Sequence, residues 1–264
     1  MTKRNTQQRR HAIAALVQER GEVSVEELTQ RFATSEVTIR KDLALLETGG
    51  LLLRRYGGAV SLPSEMVAEP DAGQVSKRKL SIARAAADRI RDHNRVIIDS
   101  GTTTSAMIPL LGNKRGLVVM TNSLNVAGQL RELENEPILL MTGGTWDPHS
   151  ESFQGQVAEQ VLRSYDFDQL FIGADGIDLE RGTTTFNELV GLSRVMAEVA
   201  REVIVMVESE KIGRRIPNLE LPWDKIHTLV TDDALGQEAR DKIQAKGVTL
   251  ICAPAVQDSS ARRK

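Results

Sequence analysis

The sequence predicts an α/β chain in two parts: a small helical segment closed by a hairpin, then a larger, mostly parallel sheet with helices on both faces. Three observations carry this prediction. Helix-spaced apolar residues recur from Ile13 to Leu46. Beyond residue 95, seven short apolar runs follow one another without alternation. Between the two lies "SLPSEMVAEPDAGQVS" (61–76), with two prolines, small residues and no steady period, which reads as a linker.

The front segment covers residues 1–60. Residues 6–19 place Ile13, Leu16 and Val17 on one helical face, and Gly21 ends that helix. "SVEEL" then offers a capping box, in which Ser24 accepts from the Glu27 amide and Glu27 reaches back. The second helix runs from Val25 to about Phe32. The third starts at Ser35 or Glu36, with Ile39, Leu43 and Leu46 facing inward. Two helices with so tight a connection make a helix-turn-helix pattern. "GGLLLRRYGGAV" (49–60) stops the third helix at Gly49-Gly50, runs to Arg54-Arg55 and reverses at Gly57-Gly58. That is a two-stranded wing, so the segment reads as a winged helix-turn-helix.

The rear segment covers residues 77–254, before a polar tail at 255–264. Its apolar runs are "RVIID" (95–99), "GLVVMT" (116–121), "PILLMT" (137–142), "QLFIGA" (169–174), "EVIVMV" (202–207), "HTLVT" (227–231) and "GVTLICA" (247–253). Short runs that do not alternate are strands buried on both faces. Helical patterns such as "SIARAAADRI" and "GQEARDKIQAK" lie between them, which predicts an open parallel sheet.

Composition narrows the function. The chain has 264 residues, net charge −2 and only 3% aromatics, so repeated stacking platforms for single-stranded nucleic acid are not expected. Residues 1–60 carry 10 Lys/Arg against 7 Asp/Glu, and the rest 24 against 29. A basic front and an acidic rear suggest different partners. The single cysteine, Cys252, allows neither an intrachain disulfide nor a multi-cysteine zinc site, and the four histidines are scattered. No apolar run reaches the ~18 residues of a membrane span, and no signal-peptide core follows "MTKRNTQQRR". A reduced, cytoplasmic protein without metal or cofactor is expected.

The third helix mixes short hydroxyls with long cations on its outer face. A helix in the major groove of DNA presents such groups to base edges and phosphates, which suits Ser35, Thr38, Arg40 and Lys41. Glu36 can accept from a cytosine amino group or orient a neighbouring arginine. Arg54 and Arg55, before the wing turn, suit phosphates or a minor groove. In the rear segment ligands are expected outside the carboxyl ends of the strands. There stand "DSGTTT" (99–104) with a helix following at "SAMIPLL", then "TNSLNVA" (121–127), "TGGTW" (142–146), "GADGID" (173–178) followed by "GTTTFNE" (182–188), and "ESEKIG" (208–213). Glycines, hydroxyls and helix-start amides cradle a phosphate, and Lys211 can meet an anion.

"SVEELTQRFATSEVTIRKDLALLETGGLLLRRYGGAV" resembles the N-terminal signature of the DeoR family of bacterial transcription regulators, with Tyr56 where members commonly have His. "IIDSGTTT", "MTNSLNVA", "LLMTGGT", "FIGADGID" and "KIG" resemble that family's C-terminal sensor domain, similar in fold to sugar-phosphate isomerases and CoA transferases. The resemblance implies operator DNA as one partner and a phosphorylated sugar as effector. It also implies a site of Asp99, Ser100, Gly101, Thr102, Thr103, Thr104, Thr121, Asn122, Gly143, Gly144, Gly173, Asp175, Gly176 and Lys211. The family usually reads Asp-Ser-Ser/His-Lys where this chain has Glu208 and Glu210 around its lysine, and Glu188 falls one residue out of step. "TTFNE" and "SFQGQVAEQ" are similar to the glucitol-operon and amino-sugar subgroup, and an amino-sugar phosphate suits the added glutamates.

The expected protein is therefore a repressor, a homodimer or homotetramer, switched by a phosphosugar. Two alternatives stand beside it. One is an activator built from the same parts. The other is an isomerase-type enzyme using Asp99, Asp175, Glu188 and Lys211 as acid/base groups.

Overall fold

The structure is a computed structural model that describes residues 3–48, 52–55, 57–61, 75–148, 150–185, 187, 190–214, 216 and 218–255. It divides into two compact units, Met1–Gln74 and Val75–Lys264. Most of the 61–76 stretch and of the tail, with Tyr56, Glu188 and Leu189, lies outside the described residues.

In the first unit α1 (Lys3–Arg20) is followed by β1 (Glu22–Ser24), α2 (Val25–Phe32), α3 (Glu36–Thr48), β2 (Leu53–Arg55) and β3 (Gly58–Val60). Ile13, Leu16 and Val17 of α1 meet Leu28 of α2 and Ile39, Leu43 and Leu46 of α3 in one core. Ser24 caps α2, its hydroxyl accepting the Glu27 N–H at 3.1 Å. The Glu27 carboxylate is instead held by Arg20. The wing has three strands rather than two, because β1 pairs with β3 in the order β1-β3-β2. A three-residue strand is too short to show a period in sequence. Gly58 lies within β3, where a Cβ would sit 2.4 Å from the Val23 carbonyl oxygen, so glycine is what lets β1 close on the hairpin.

In the second unit come α4 (Lys77–Ala87), β4 (Arg95–Ile98), α5 (Thr102–Ser105), β5 (Val118–Thr121), α6 (Leu124–Arg131) and β6 (Ile138–Met141). They are followed by β7 (Thr145–Asp147), β8 (Ser152–Gln154), α7 (Gln156–Leu162), β9 (Phe167–Ile172), β10 (Gly176–Asp178) and β11 (Gly182–Thr185). The remainder is α8 (Gly191–Glu198), β12 (Ala200–Met206), β13 (Asn218–Pro222), β14 (Thr228–Asp232), α9 (Gln237–Gln244) and β15 (Thr249–Ala253). The seven runs form one sheet ordered β15-β14-β12-β9-β4-β5-β6, parallel at every pairing. Leu170, Ile172, Val203 and Val205 face one apolar cluster, while Phe171, Ile204 and Met206 face another. Burial on both faces is why those runs do not alternate.

Two expectations change here. The "GTTT" of "GTTTFNE" is not a strand-end loop, since Gly182–Thr185 is a buried strand of an antiparallel sheet ordered β10-β11-β13. The helix expected at "SAMIPLL" begins earlier, as α5, and 108–111 is a single 3-10 turn. Thr104 and Ser105 draw the chain round there by donating back to the Gly101 carbonyl at 3.0 and 2.6 Å.

Candidate functional site

On α3, Ser35 is the N-cap. Its hydroxyl accepts the Thr38 N–H at 3.3 Å and lies 2.9 Å from the Thr38 hydroxyl. Arg40 and Glu36 pair at 3.2 Å, both well exposed, so Glu36 orients the arginine. Lys41 is exposed beside them. On the wing, Arg54 is held at 2.7 Å by Glu47 of α3, and Arg55 at 2.7 Å by Glu22 of β1. The exposed arginines of helix and wing are therefore each paired with a glutamate of the same unit. One residue carries more than the sequence suggested. Asp42 is buried in α3 and takes Arg9 and Arg10 of α1 at 2.7 Å each, tying the first helix to the third.

In the second unit the chain runs β4, β5, β6 toward one edge, then β9, β12, β14, β15 toward the other. Strand order reverses between β4 and β9, and a ligand crevice forms outside the carboxyl ends at such a switch point. Asp99, Ser100 and Gly101 follow β4, and Gly173, Ala174 and Asp175 follow β9. The two ends are tied by the Asp99 N–H donating to the Phe171 carbonyl at 3.0 Å. Asn122 beyond β5 donates to the Asp99 carboxylate at 2.8 Å and accepts the Ser100 N–H at 3.1 Å. From the turn after β12, Lys211 reaches the Ala174 carbonyl at 3.0 Å, next to Asp175, whose carboxylate accepts the Thr185 hydroxyl at 2.7 Å.

The expected site residues divide by exposure. Asp99, Ser100, Gly101, Thr102, Gly173 and Asp175 keep accessible surface, as do Gly143 and Gly144 beyond β6. Thr103, Thr104, Thr121 and Asn122 are buried. Thr104 donates to the Asp99 carbonyl at 2.9 Å, and Thr121 accepts the Ser123 N–H at 3.1 Å. Gly176 is buried within β10, and Lys211 is largely buried. Gly144, at φ +111°, would bring a Cβ to 2.5 Å from the Gln154 carbonyl oxygen, so the β7–β8 hairpin itself requires glycine there. Glu208 and Glu210 are occupied elsewhere. Glu208 accepts the Ser76 hydroxyl at 3.0 Å, and Glu210 pairs with Arg78 at 3.6 Å and Arg214 at 3.8 Å.

Sequence reasoning missed Glu220 of β13. It is buried, with Ser193 donating at 2.7 Å and Thr183 at 3.3 Å, and no cation paired to it among the described residues. Burial, reinforced by the charges of Asp99 and Asp175 and opposed by those hydroxyls, lifts its carboxyl to about 7. Burial likewise lifts Asp99 to about 6 against the Asn122 and Ser100 hydrogen bonds, with Asp175 adding repulsion. The charges of Asp99 and Asp175 are thus both felt at Glu220. The "NLELP" run holding Glu220 is short and bounded by proline, and only its alternation, with Leu219 and Leu221 flanking the glutamate, hinted at a strand.

A winged helix-turn-helix in one chain with a parallel α/β unit whose polar strand ends gather at a switch point has the build of a transcription regulator with a sensor domain. Residues 9–65 match the DeoR-like helix-turn-helix domain and residues 74–233 the DeoR C terminal sensor domain, and the chain belongs to the DeoR family. It is 39% identical over 252 residues to an Escherichia coli O157:H7 protein provisionally named aga operon transcriptional repressor, covering 93% of each chain. It is 33% identical over 249 residues to the HTH-type transcriptional regulator GlpR of Haloferax volcanii, covering 92% of this chain and 96% of that one. With the glycerol-3-phosphate regulon repressor of Escherichia coli K12 it shares 35% over 211 residues, 78% of this chain and 83% of that one. Among solved structures, ribose 5-phosphate isomerase A from Methanocaldococcus jannaschii aligns with TM-score 0.37 and 19% identity, over 51% of this chain and 53% of that one.

Proposed function

We propose that this chain represses a sugar or amino-sugar operon in the cytoplasm, gripping duplex operator DNA through α3 and the wing as a homodimer or homotetramer. A phosphorylated sugar in the crevice between β4 and β9 weakens that grip. The relatives' names as repressors of sugar-related operons support the first part. The second rests on one observation: the Asp99–Gly101 turn and the Gly173–Asp175 turn, which Lys211 reaches, follow adjacent strands where the strand order reverses.

The chemistry of the crevice suits such a ligand. Backbone amides of the Gly101–Thr104 turn and the Lys211 ammonium favour a phosphate. Asp99, Asp175 and Glu220 favour groups that donate, namely sugar hydroxyls or an amine. An effector acts only by unequal affinity for the DNA-competent and incompetent states. The relatives are named as regulators, and catalysis is not part of this reading.

The test is operator binding at fixed salt, with the chain's own upstream promoter duplex against random duplex. Glucosamine 6-phosphate, galactosamine 6-phosphate, glucitol 6-phosphate and glycerol 3-phosphate are then added in turn. Preference for the promoter, relieved by one phosphosugar that also raises the melting temperature by mass action, is expected. Equal affinity for both duplexes would sink the DNA reading. Preference that no phosphosugar relieves would sink the effector reading.

A further inference from the structure

Successive α3 residues turn by about 100°. Ile39 and Leu46, buried in the core, therefore lie about 160–180° from Val37, which stands at the centre of the outward face and is 63% exposed. Around it the polar side chains of the first turn are engaged with one another. Ser35 and Thr38 share a hydrogen bond in the cap, and Glu36 holds Arg40. A β-branched residue at an exposed helical position gives up rotamer freedom and leaves apolar surface in water, so Val37 does nothing evident for the free protein. Helical side chains lean toward the amino end, so its methyls cover the tip of α3. In a helix-turn-helix that tip is the part that reaches base edges, and the apolar feature of the major-groove floor is the thymine C5-methyl group.

We propose that Val37 is a specificity residue that reads thymine methyl groups in the operator. This rests on the DNA-binding reading above. Leu45, 52% exposed, stands two turns along α3 and about 12 Å from Val37, beyond the reach of the same base pairs, and serves as the internal control.

The experiment uses full-length protein and a duplex recovered by selecting a random 30-bp library with it. Each thymine is replaced singly by deoxyuridine, which deletes only the methyl, and affinity is read by fluorescence anisotropy at fixed salt. At one or more positions the wild-type chain should lose about fourfold, the equivalent of one buried methyl group. Val37→Ala should bind the thymine duplex more weakly and be indifferent to uracil at those positions, while Leu45→Ala keeps the wild-type ratio. Both residues are exposed, and circular dichroism checks that the variants fold. A wild-type ratio of one at every thymine overturns the proposal. So does a Val37→Ala ratio equal to wild type, or a ratio lost equally in Leu45→Ala. Failure of the selection to enrich any sequence defeats the DNA-binding reading, and the inference about Val37 falls with it.

Discussion

Asn122 clamps Asp99 from the neighbouring strand end, donating to its carboxylate at 2.8 Å while accepting the adjacent Ser100 N–H at 3.1 Å. Asn122 is 1% exposed, so its own amide has no water substitute at hand. Asn122→Ala should cost about 1–3 kcal/mol in chemical denaturation, since two polar groups lose their partner. The same variant should lose any stabilisation by phosphosugar, because the Asp99–Gly101 turn is no longer fixed. Unchanged stability in urea would show that the clamp is not what orders the turn.

Glu220 gives a pH dependence with a definite sign. Its carboxyl is raised from 4.5 to about 7, and that of Asp99 from 3.8 to about 6. For a raised carboxyl the contribution is fully present below the unfolded value and is lost as pH climbs through the folded one. Glu220→Gln removes that loss, so the variant should gain on wild type between pH 5 and pH 8, by on the order of 3 kcal/mol at the upper end. Below pH 4.5 the gain should vanish. Melting curves for both proteins across this range decide it, and a pH-independent difference would refute the coupling.

Asp42 should matter more than its position on a reading helix suggests. Removing a buried carboxylate strands Arg9, which is itself largely buried, and frees Arg10. Asp42→Ala should destabilise the first unit by about 3 kcal/mol, at the low end for a broken buried pair because Arg10 is partly solvated. Hydrogen exchange on residues 3–48 isolates the effect from the second unit.

Lys41, Arg54 and Arg55 should each neutralise a phosphate. Each change to alanine should weaken binding to all duplexes alike and flatten the salt dependence by about one unit for every phosphate no longer neutralised. Arg40→Ala should instead cost about 1–3 kcal/mol on the specific duplex if the arginine meets a base in bidentate fashion. A salt slope identical to wild type removes that residue from the phosphate-binding surface.

The seven-stranded sheet was legible because strands buried on both faces leave unbroken apolar runs, and α2 because Ser24 and Glu27 mark its start. The short antiparallel strands were not legible. Thr183, Thr184 and Thr185 look like loop residues, and only tertiary pairing with β13 buries them. Glu220 escaped for the same reason, since a lone glutamate in an apolar run signals nothing until Asp99 and Asp175 are seen near it. Ser35, Thr104 and Thr121 were legible as polar residues at the right places. Their hydroxyls are spent on hydrogen bonds to the chain itself, a distinction that depends on geometry.

The strand order has a consequence for how the molecule is made. The first core joins only residues within the first sixty of the chain, whereas Val96 of β4 waits for Gln169 of β9 before the sheet can close. Local contacts form fast and distant pairings slowly, and synthesis proceeds at roughly 5–20 residues per second. The amino-terminal unit is therefore complete on the ribosome roughly ten to forty seconds before the second unit is. Nascent chains arrested at increasing lengths should show protease protection of residues 3–61 well before protection of β4. During that interval a growing chain carries a finished helix-turn-helix and an unfinished sensor domain.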